Sequence, residues 1–259
     1  MTHATTTTIN RPTWVDLSTK DAAAARDFYS KLFGWRVEVN PDPLYGGYGL
    51  AKIGGQDAAG IGPVQSPEQP TVWSMYIGTD DVDALAKKVA AAGGTVVAPP
   101  FDVGDQGRMA VFADPTGAFI SAWQGTRMGG FQTSGPGAYG WSELSTTDID
   151  KALPFYKDVL GWEARRSPMP SGPDYIEFQV DGESVAGGWA MDPAQMAGAP
   201  SQWMVYFSVD DVDAAFRTAM DNGAHEVNAP QSYPGGTFAI VTDPQGAPFG
   251  LLHQEDRAG

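Results

Sequence analysis

The chain has 259 residues, of which 42% are hydrophobic and 18% are charged, and these fractions are typical of a globular protein with length for two ordinary domains. Its 31 acidic residues outnumber its 16 basic ones, and the formal net charge of −15 disfavours nucleic acid and anionic membrane surfaces as partners. The absence of cysteine excludes disulfides, thiolate nucleophiles and zinc–thiolate sites. The polar amino terminus predicts no signal peptide, and no apolar run approaches the roughly 18 residues of a membrane span, so we expect a cytoplasmic protein.

The first predicted element is a strand at "TWVDLS", where polar and apolar residues alternate. Asp21 then caps a predicted helix that ends at Gly34. A strand candidate around residues 48–53 follows, bounded by turns rich in glycine and proline. A strand at "MYIGT", a helix opened by "DDVDA" and two strands around "DPTG" complete the series.

The same series of elements is written a second time in the chain. Three pairs of segments show this: "TWVDLSTKDAAAARDFYSKLFGW" and "GWSELSTTDIDKALPFYKDVLGW", "WSMYIGTDDVDAL" and "WMVYFSVDDVDAA", "FADPTGAFISAWQ" and "VTDPQGAPFGLLH". A repeat of this length implies gene duplication and a pseudo-twofold arrangement. We therefore expect modules at residues 12–124 and 139–254, joined by a glycine-rich linker at residues 125–138.

The order of these motifs resembles the glyoxalase/bleomycin-resistance/extradiol-dioxygenase group, which is the vicinal oxygen chelate superfamily. The resemblance covers nearly the whole chain and is greatest to two-module actinobacterial proteins labelled hydroxylases or glyoxalase-like antigens. It implies an α+β fold in which each module is a tandem βαβββ-βαβββ unit. The resemblance further implies that the units form cupped mixed sheets, with helices on the convex side and a ligand on the concave side.

The resemblance also implies where a metal would bind, because catalytic members of the family carry His, Gln or Glu on three strands of a module. The matching positions in this chain are Trp14, Ser74, Ser121, Trp141, Met204 and Gly250. None of these residues is a usual ligand of a divalent metal. The chain's histidines, His3, His225 and His253, are expected at the surface or at the ends of elements, and His253 on the strand face opposite the ligand position. We therefore predict neither a metal nor another cofactor.

The alternation of the strands predicts what faces the concave side instead. Asp16 and Glu143 lie two residues after the first-strand position, and either is a candidate general base, since burial can raise the pKa of a carboxyl group. The candidate ligand-binding residues are Trp14, Tyr76, Arg108, Trp123, Trp141, Met204 and Tyr206. Asp16 or Glu143 could equally bond a backbone N–H or pair with a basic residue, for which Arg108 is available in the first module while Thr237 is its counterpart in the second.

Three functions fit this pattern. The first is a metal-free protein that binds or sequesters an aromatic natural product or antibiotic, as bleomycin-resistance proteins do. The second is an enzyme: a metal-independent lyase, isomerase or hydroxylase that uses Asp16 or Glu143 as base, or a glyoxalase- or dioxygenase-like enzyme with relocated metal ligands. The third is a protein-interaction role in which the concave side is vestigial. In the first two the expected partner is a small aromatic molecule, and the chain acts as a monomer or a homodimer.

Overall fold

The computed structural model describes residues 8–169, 172–192, 194 and 198–255. The first module contains β1 (Pro12–Thr19), α1 (Ala22–Phe33), β2 (Arg36–Val39), β3 (Gly49–Ile53), β4 (Gln56–Pro63), β5 (Val72–Gly78), α2 (Val82–Ala91), β6 (Thr95–Val103), β7 (Gly107–Ala113) and β8 (Phe119–Gly125). The second contains β9 (Tyr139–Thr146), α3 (Ile149–Leu160), β10 (Glu163–Ser167), β11 (Tyr175–Val180), β12 (Glu183–Ala190), β13 (Gln202–Ser208), α4 (Val212–Asp221), β14 (His225–Tyr233), β15 (Gly236–Thr242) and β16 (Pro248–Gln254). A 3-10 turn at Pro43–Tyr45 precedes β3.

Each module forms one mixed sheet of eight strands. The strand order is β2-β3-β4-β1-β5-β8-β7-β6 in the first module and β10-β11-β12-β9-β13-β16-β15-β14 in the second. β1 runs parallel to β4, whereas β3 and β4 are antiparallel, and β9, β12 and β11 repeat this arrangement. The α+β fold of two tandem modules expected from the sequence is confirmed.

Within the described residues, the chain divides into two compact units that do not coincide with the modules. The first unit is drawn from Met1–Trp14, Met75–Gly130 and Ser142–Met204, and the second from Val15–Ser74, Phe131–Trp141 and Val205–Gly259. In the first unit α2 packs on β6, β7 and β8 and contacts α3; in the second α4 packs on β14, β15 and β16 and contacts α1. We call the sheet face that lies away from these helices the open face.

The helices begin and end where the sequence predicts. Asp21 accepts a hydrogen bond from the Ala24 amide at 3.0 Å, and the same cap recurs at the start of the other three helices. α1 ends at Gly34, whose φ of 69° lies in the left-handed region that glycine adopts without strain.

A buried hydrogen-bond chain joins the two modules inside the second unit. The Tyr29 hydroxyl of α1 donates to the carboxylate of Asp243 at 3.0 Å, and the indole N–H of Trp73 donates to the Tyr29 oxygen at 2.8 Å. The other carboxylate oxygen of Asp243 accepts from the amides of Gln245 and Ala247, which fixes the DPQG turn. The tyrosine of one module is thus bonded to the turn of the other.

The first unit repeats this chain with the modules exchanged. The Tyr156 hydroxyl of α3 donates to Asp114 at 2.8 Å, and the Trp203 indole N–H donates to Tyr156 at 2.8 Å. Burial raises the pKa of both phenols, Tyr29 and Tyr156, well above the usual value of a tyrosine. Burial also raises the pKa of Asp243. The hydroxyl groups of Tyr29 and Tyr156 therefore remain protonated hydrogen-bond donors. We call the Tyr29–Asp243 and Tyr156–Asp114 bonds the clamp, because each joins a helix of one module to a turn of the other.

Replacing Tyr29 by phenylalanine should lower the free energy of unfolding by about 2 kcal/mol, because it leaves the Asp243 carboxylate and the Trp73 N–H buried without this partner. Urea unfolding followed by circular dichroism measures the change. Tyr45→Phe, which removes a hydroxyl from the partly exposed 3-10 turn, is the control and should change stability by less than about 0.5 kcal/mol. Equal losses in the two variants would contradict the clamp.

Candidate functional site

Asp16 lies on the open face of the second unit. It is in register with Gly60 of the neighbouring β4. The Tyr48 hydroxyl donates a hydrogen bond to the Asp16 carboxylate over 3.2 Å. Both side chains are partly exposed. The bond therefore joins a candidate base to a phenol at the surface of the sheet.

The Tyr48 ring occupies space that glycines leave empty. A Cβ atom added to Gly60 would lie 1.8 Å from the Tyr48 oxygen, and one added to Gly62 would lie 2.9 Å from Cδ2 of the ring. The ring therefore lies along β4 on bare backbone. Sequence reasoning placed Tyr48 at the start of a strand candidate and did not name it as a site residue. The available signal was the pair of glycines two residues apart, which share one strand face.

Glu143 holds the matching position in the first unit, with a different donor. It is in register with Gly187 of β12, and its carboxylate accepts a hydrogen bond from the indole N–H of Trp189 at 2.9 Å. Glu177 of β11 opposes Gly187 from the other side, and it accepts from Ser184 at 2.8 Å and pairs with Arg165. Strand alternation in the sequence identified Glu143 but not Trp189 and Glu177, which only the register of β11 and β12 brings to this face.

The open face of β6, β7 and β8 in the first unit is largely apolar. Trp123 opposes Met109, and its ring lies over Gly107, where an added Cβ would come within 2.7 Å of the indole. The Trp123 N–H donates to the Met128 carbonyl at 2.7 Å, which holds the ring in place. Phe101 and Phe119 are 45% and 60% exposed. The face thus carries exposed aromatic surface.

Arg108 does not belong to this face, and its assignment as a ligand-binding residue or partner of Asp16 needs correction. Arg108 opposes Gln124 on β8, whose side chain accepts from the Val82 amide at the start of α2. Its guanidinium donates to Asp83 of α2 at 2.9 and 3.1 Å and to Asp102 at 2.9 Å. Arg108 therefore faces the helix, because neighbouring residues of a strand point to opposite faces and Met109 takes the open side.

The Tyr206 ring occupies the space beside Gly250, which is the family's last-strand metal position in the second module. It is in register with Gly250, and a Cβ atom at Gly250 would lie only 1.9 Å from Cδ1 of the Tyr206 ring. Tyr206 is buried and makes an edge contact with Phe238, with ring centroids 6.5 Å apart. A glutamate at this position would displace the ring.

The remaining candidate residues are placed as follows. Tyr76 is in register with Ser121 and is buried. Trp14 and Met204 are also buried, whereas Trp141 is partly exposed. Trp14 and Asp16 share one face of β1, and Trp141 and Glu143 share one face of β9, because residues two apart on a strand point to the same side.

The residues at the six family positions do not fit a metal, since two are tryptophans and the space beside Gly250 holds a ring. Within the described part of the chain, no group of three or more His, Cys, Asp or Glu side chains has a metal-binding arrangement. Nδ1 of His253 lies 3.1 Å from the Val209 carbonyl, near the start of α4.

No helix in the described ranges is long and apolar enough to cross a membrane.

The fold and the sequence together define the family. Residues 11–121 and 138–251 match the Glyoxalase/Bleomycin resistance protein/Dioxygenase superfamily, once per module. The chain therefore belongs to this superfamily, and members of the superfamily bind small molecules.

The chain has sequence relatives of two kinds, described as glyoxylases and as anthracycline biosynthesis proteins. The chain is 42% identical over 247 residues to "Putative glyoxylase CFP32" of Mycobacterium tuberculosis, covering 93% of this chain and 94% of that protein. It is 37% identical over 256 residues to the anthracycline biosynthesis protein DnrV of Streptomyces peucetius, covering 93% and 92%.

Solved structures share the fold at much lower identity. The Mn(II)-bound glyoxalase from Novosphingobium aromaticivorans superposes with a TM-score of 0.66 at 18% identity, covering 94% of this chain and 82% of that one. The 2,3-dioxygenase LapB from Pseudomonas sp. KL28 superposes with a TM-score of 0.67 at 15% identity, covering 98% and 96%. At such identities the likeness establishes the fold alone.

Replacing Gly250 by alanine should destabilise the chain by about 1–3 kcal/mol, because the new Cβ atom would clash with the Tyr206 ring. In a double-mutant cycle with Tyr206→Ala, the double variant should lose at least about 1 kcal/mol less than the sum of the single losses. Gly188→Ala is the comparison variant with a smaller expected loss, since its Cβ would approach Phe178 at 3.1 Å, a tight contact but not the 1.9 Å overlap at Gly250. Additive losses in urea unfolding would mean that the ring does not occupy this position.

Proposed function

We propose that this chain binds a flat, hydroxylated aromatic small molecule on an open face of its sheets, without a metal at the six family positions. The observation that carries the proposal is the pairing of an acid with an aromatic donor, Asp16 with Tyr48 and Glu143 with Trp189, on faces where the family's ligands are replaced. Aromatic rings favour stacking with a flat ligand, and a carboxylate accepts a hydrogen bond from a ligand hydroxyl or amine.

The names of the sequence relatives also support a flat, hydroxylated aromatic ligand. The Streptomyces relatives are anthracycline biosynthesis proteins, and an anthracycline is a flat, hydroxylated aromatic compound that carries an amino sugar. The net charge of −15 favours the approach of a cationic group. We propose sequestration of such a compound, as in bleomycin resistance, as the role of the binding.

The setting of this function is part of the same proposal. We propose a cytoplasmic protein that acts as a monomer or a homodimer and has modules at residues 12–124 and 139–254, with residues 125–138 as the linker. Its partner is the small molecule, and neither nucleic acid nor a membrane surface takes part.

Titration calorimetry with 1,4-dihydroxyanthraquinone and with an anthracycline tests the proposal. Protein dialysed against a chelator should bind with a Kd within about twofold of that of untreated protein, because no step of binding uses a metal at these positions. Metal analysis of the same samples is the control. Binding that disappears on chelation and returns with Mn²⁺ or Fe²⁺ would overturn the metal-independent proposal.

A catalytic function is the second candidate, and the same two acids favour it, because a carboxylate bonded to a phenol or indole can accept a proton from a ligand. Asp16 or Glu143 would then be the general base, or metal ligands would lie elsewhere than at the family positions. The mycobacterial relatives, described as glyoxylases, keep this candidate open.

Asp16→Asn and Glu143→Gln separate catalysis from binding alone. If either acid is a base, its variant should lose turnover of a bound compound by at least about a hundredfold while Kd changes little. Parallel measurements of product formation and calorimetric Kd decide the point. Unchanged turnover and unchanged Kd in both variants would remove these acids from the function.

A further inference from the structure

The backbone of Gly60 and Gly62 forms a flat surface under the Tyr48 ring, which we call the floor. Gly60 and Gly62 are buried, lie two residues apart on β4, and present no side chains toward the ring. The phenol covers both glycines and donates its hydroxyl to Asp16 beside them. A flat ring on bare backbone with a hydroxyl on a carboxylate is the arrangement that a phenolic ligand would adopt.

The backbone of Tyr48 is held by two hydrogen bonds, whereas its side chain is partly exposed. The Tyr48 amide donates to the Tyr45 carbonyl at 2.9 Å, and its own carbonyl accepts from the Asn40 amide at 2.9 Å. Added Cβ atoms on Gly46 and Gly47 would meet no atom within 4 Å, so the space beside the preceding turn is open. Moving the ring off the floor therefore requires a change of side-chain rotamer and no rearrangement of the sheet.

The rings of Trp123 and Tyr206 also lie over strand glycines on the open faces, but they are part of the packed core. Trp123 over Gly107 is 6% exposed and is held by its bond to the Met128 carbonyl. Tyr206 over Gly250 is 5% exposed. Tyr48, in contrast, is partly exposed and precedes its strand directly. It is the ring of these three that a ligand can replace.

The second module lacks the same floor. Gly62 opposes Ser18 in the first module, and Trp189 opposes Ser145 at the equivalent register in the second. The Trp189 indole therefore stands where the second glycine would be and bonds to Glu143. Among the residues that the structure describes, this exchangeable ring belongs to the first module.

We propose that Tyr48 stands in for the ligand: a hydroxylated aromatic compound displaces its ring, lies on Gly60 and Gly62, and donates its hydroxyl to Asp16. This inference rests on the proposed function and names its ligand class as phenols and naphthols. Tyr48 is then a competitor of the ligand and not a contact to it. The sign of its effect on affinity distinguishes the two roles.

Tyr48→Phe should bind 2-naphthol about tenfold more tightly than the unmodified chain, because the ligand no longer has to break the bond from Tyr48 to Asp16. Calorimetry or naphthol fluorescence measures Kd. Tyr45→Phe, which removes a hydroxyl from the adjacent turn and leaves the Tyr48–Asp16 bond in place, should leave Kd unchanged. Circular dichroism verifies that both variants fold.

The acceptor is tested in the Tyr48→Phe background. Adding Asp16→Ala should weaken 2-naphthol about tenfold relative to Tyr48→Phe, because the carboxylate that accepts the ligand hydroxyl is removed. It should change the Kd of 2-methoxynaphthalene, which has no hydroxyl to donate, by less than about twofold. Equal losses for the two compounds would overturn the role of Asp16.

The outcomes separate this inference from the proposed function. Weaker binding of 2-naphthol to Tyr48→Phe would make Tyr48 a ligand contact and overturn the inference. An unchanged Kd in Tyr48→Phe and in Asp16→Ala would place the ligand elsewhere, so the inference fails while aromatic binding stands. If neither naphthol, anthraquinone nor anthracycline binds any folded variant, the proposed function fails as well.

Discussion

A buried hydrogen bond from a phenol to a carboxylate, made once in each compact unit, is the constraint on which the fold depends. Tyr29 reaches the turn of the second module at Asp243, and Tyr156 reaches the turn of the first at Asp114. Each aspartate also accepts the amides that shape its own turn, so one carboxylate serves a loop and a helix together. The duplicated motifs are therefore reciprocal, because each copy supplies the partner that the other needs.

The two Tyr–Asp bonds join helices to turns, so the residues of the open faces take no part in them. Glycine at positions 60, 107 and 250 leaves space for aromatic rings against the strands, and at Gly250, one of the six family positions, the Tyr206 ring occupies the space that a larger side chain would need. The two modules differ in the aromatic side chain that lies beside the acid. The first places a replaceable phenol beside Asp16, whereas the second fixes an indole beside Glu143.

Local patterns in the sequence predicted the helices and strands because they determine local structure, whereas the fold itself was implied by the family resemblance. Asp21 and Gly34 delimit a helix through bonds within a few residues, and the repeat is visible in the letters themselves. The candidate site was harder to predict from the sequence, because its contacts depend on the register between strands that lie far apart in the chain. Strand alternation identified Asp16, yet only the pairing of β3 with β4 brings Tyr48 to it, and only the pairing of β7 with β8 shows that Arg108 faces the helix.

The central claim is that the open face beside Asp16 receives an aromatic hydroxyl directly. A crystal structure of the chain with 1,4-dihydroxyanthraquinone tests it in one measurement. The account predicts the ligand ring on Gly60 and Gly62, a ligand hydroxyl within hydrogen-bond distance of Asp16, and the Tyr48 ring turned away. A ligand bound through a metal ion, or bound elsewhere with Tyr48 still on the glycines, would contradict it.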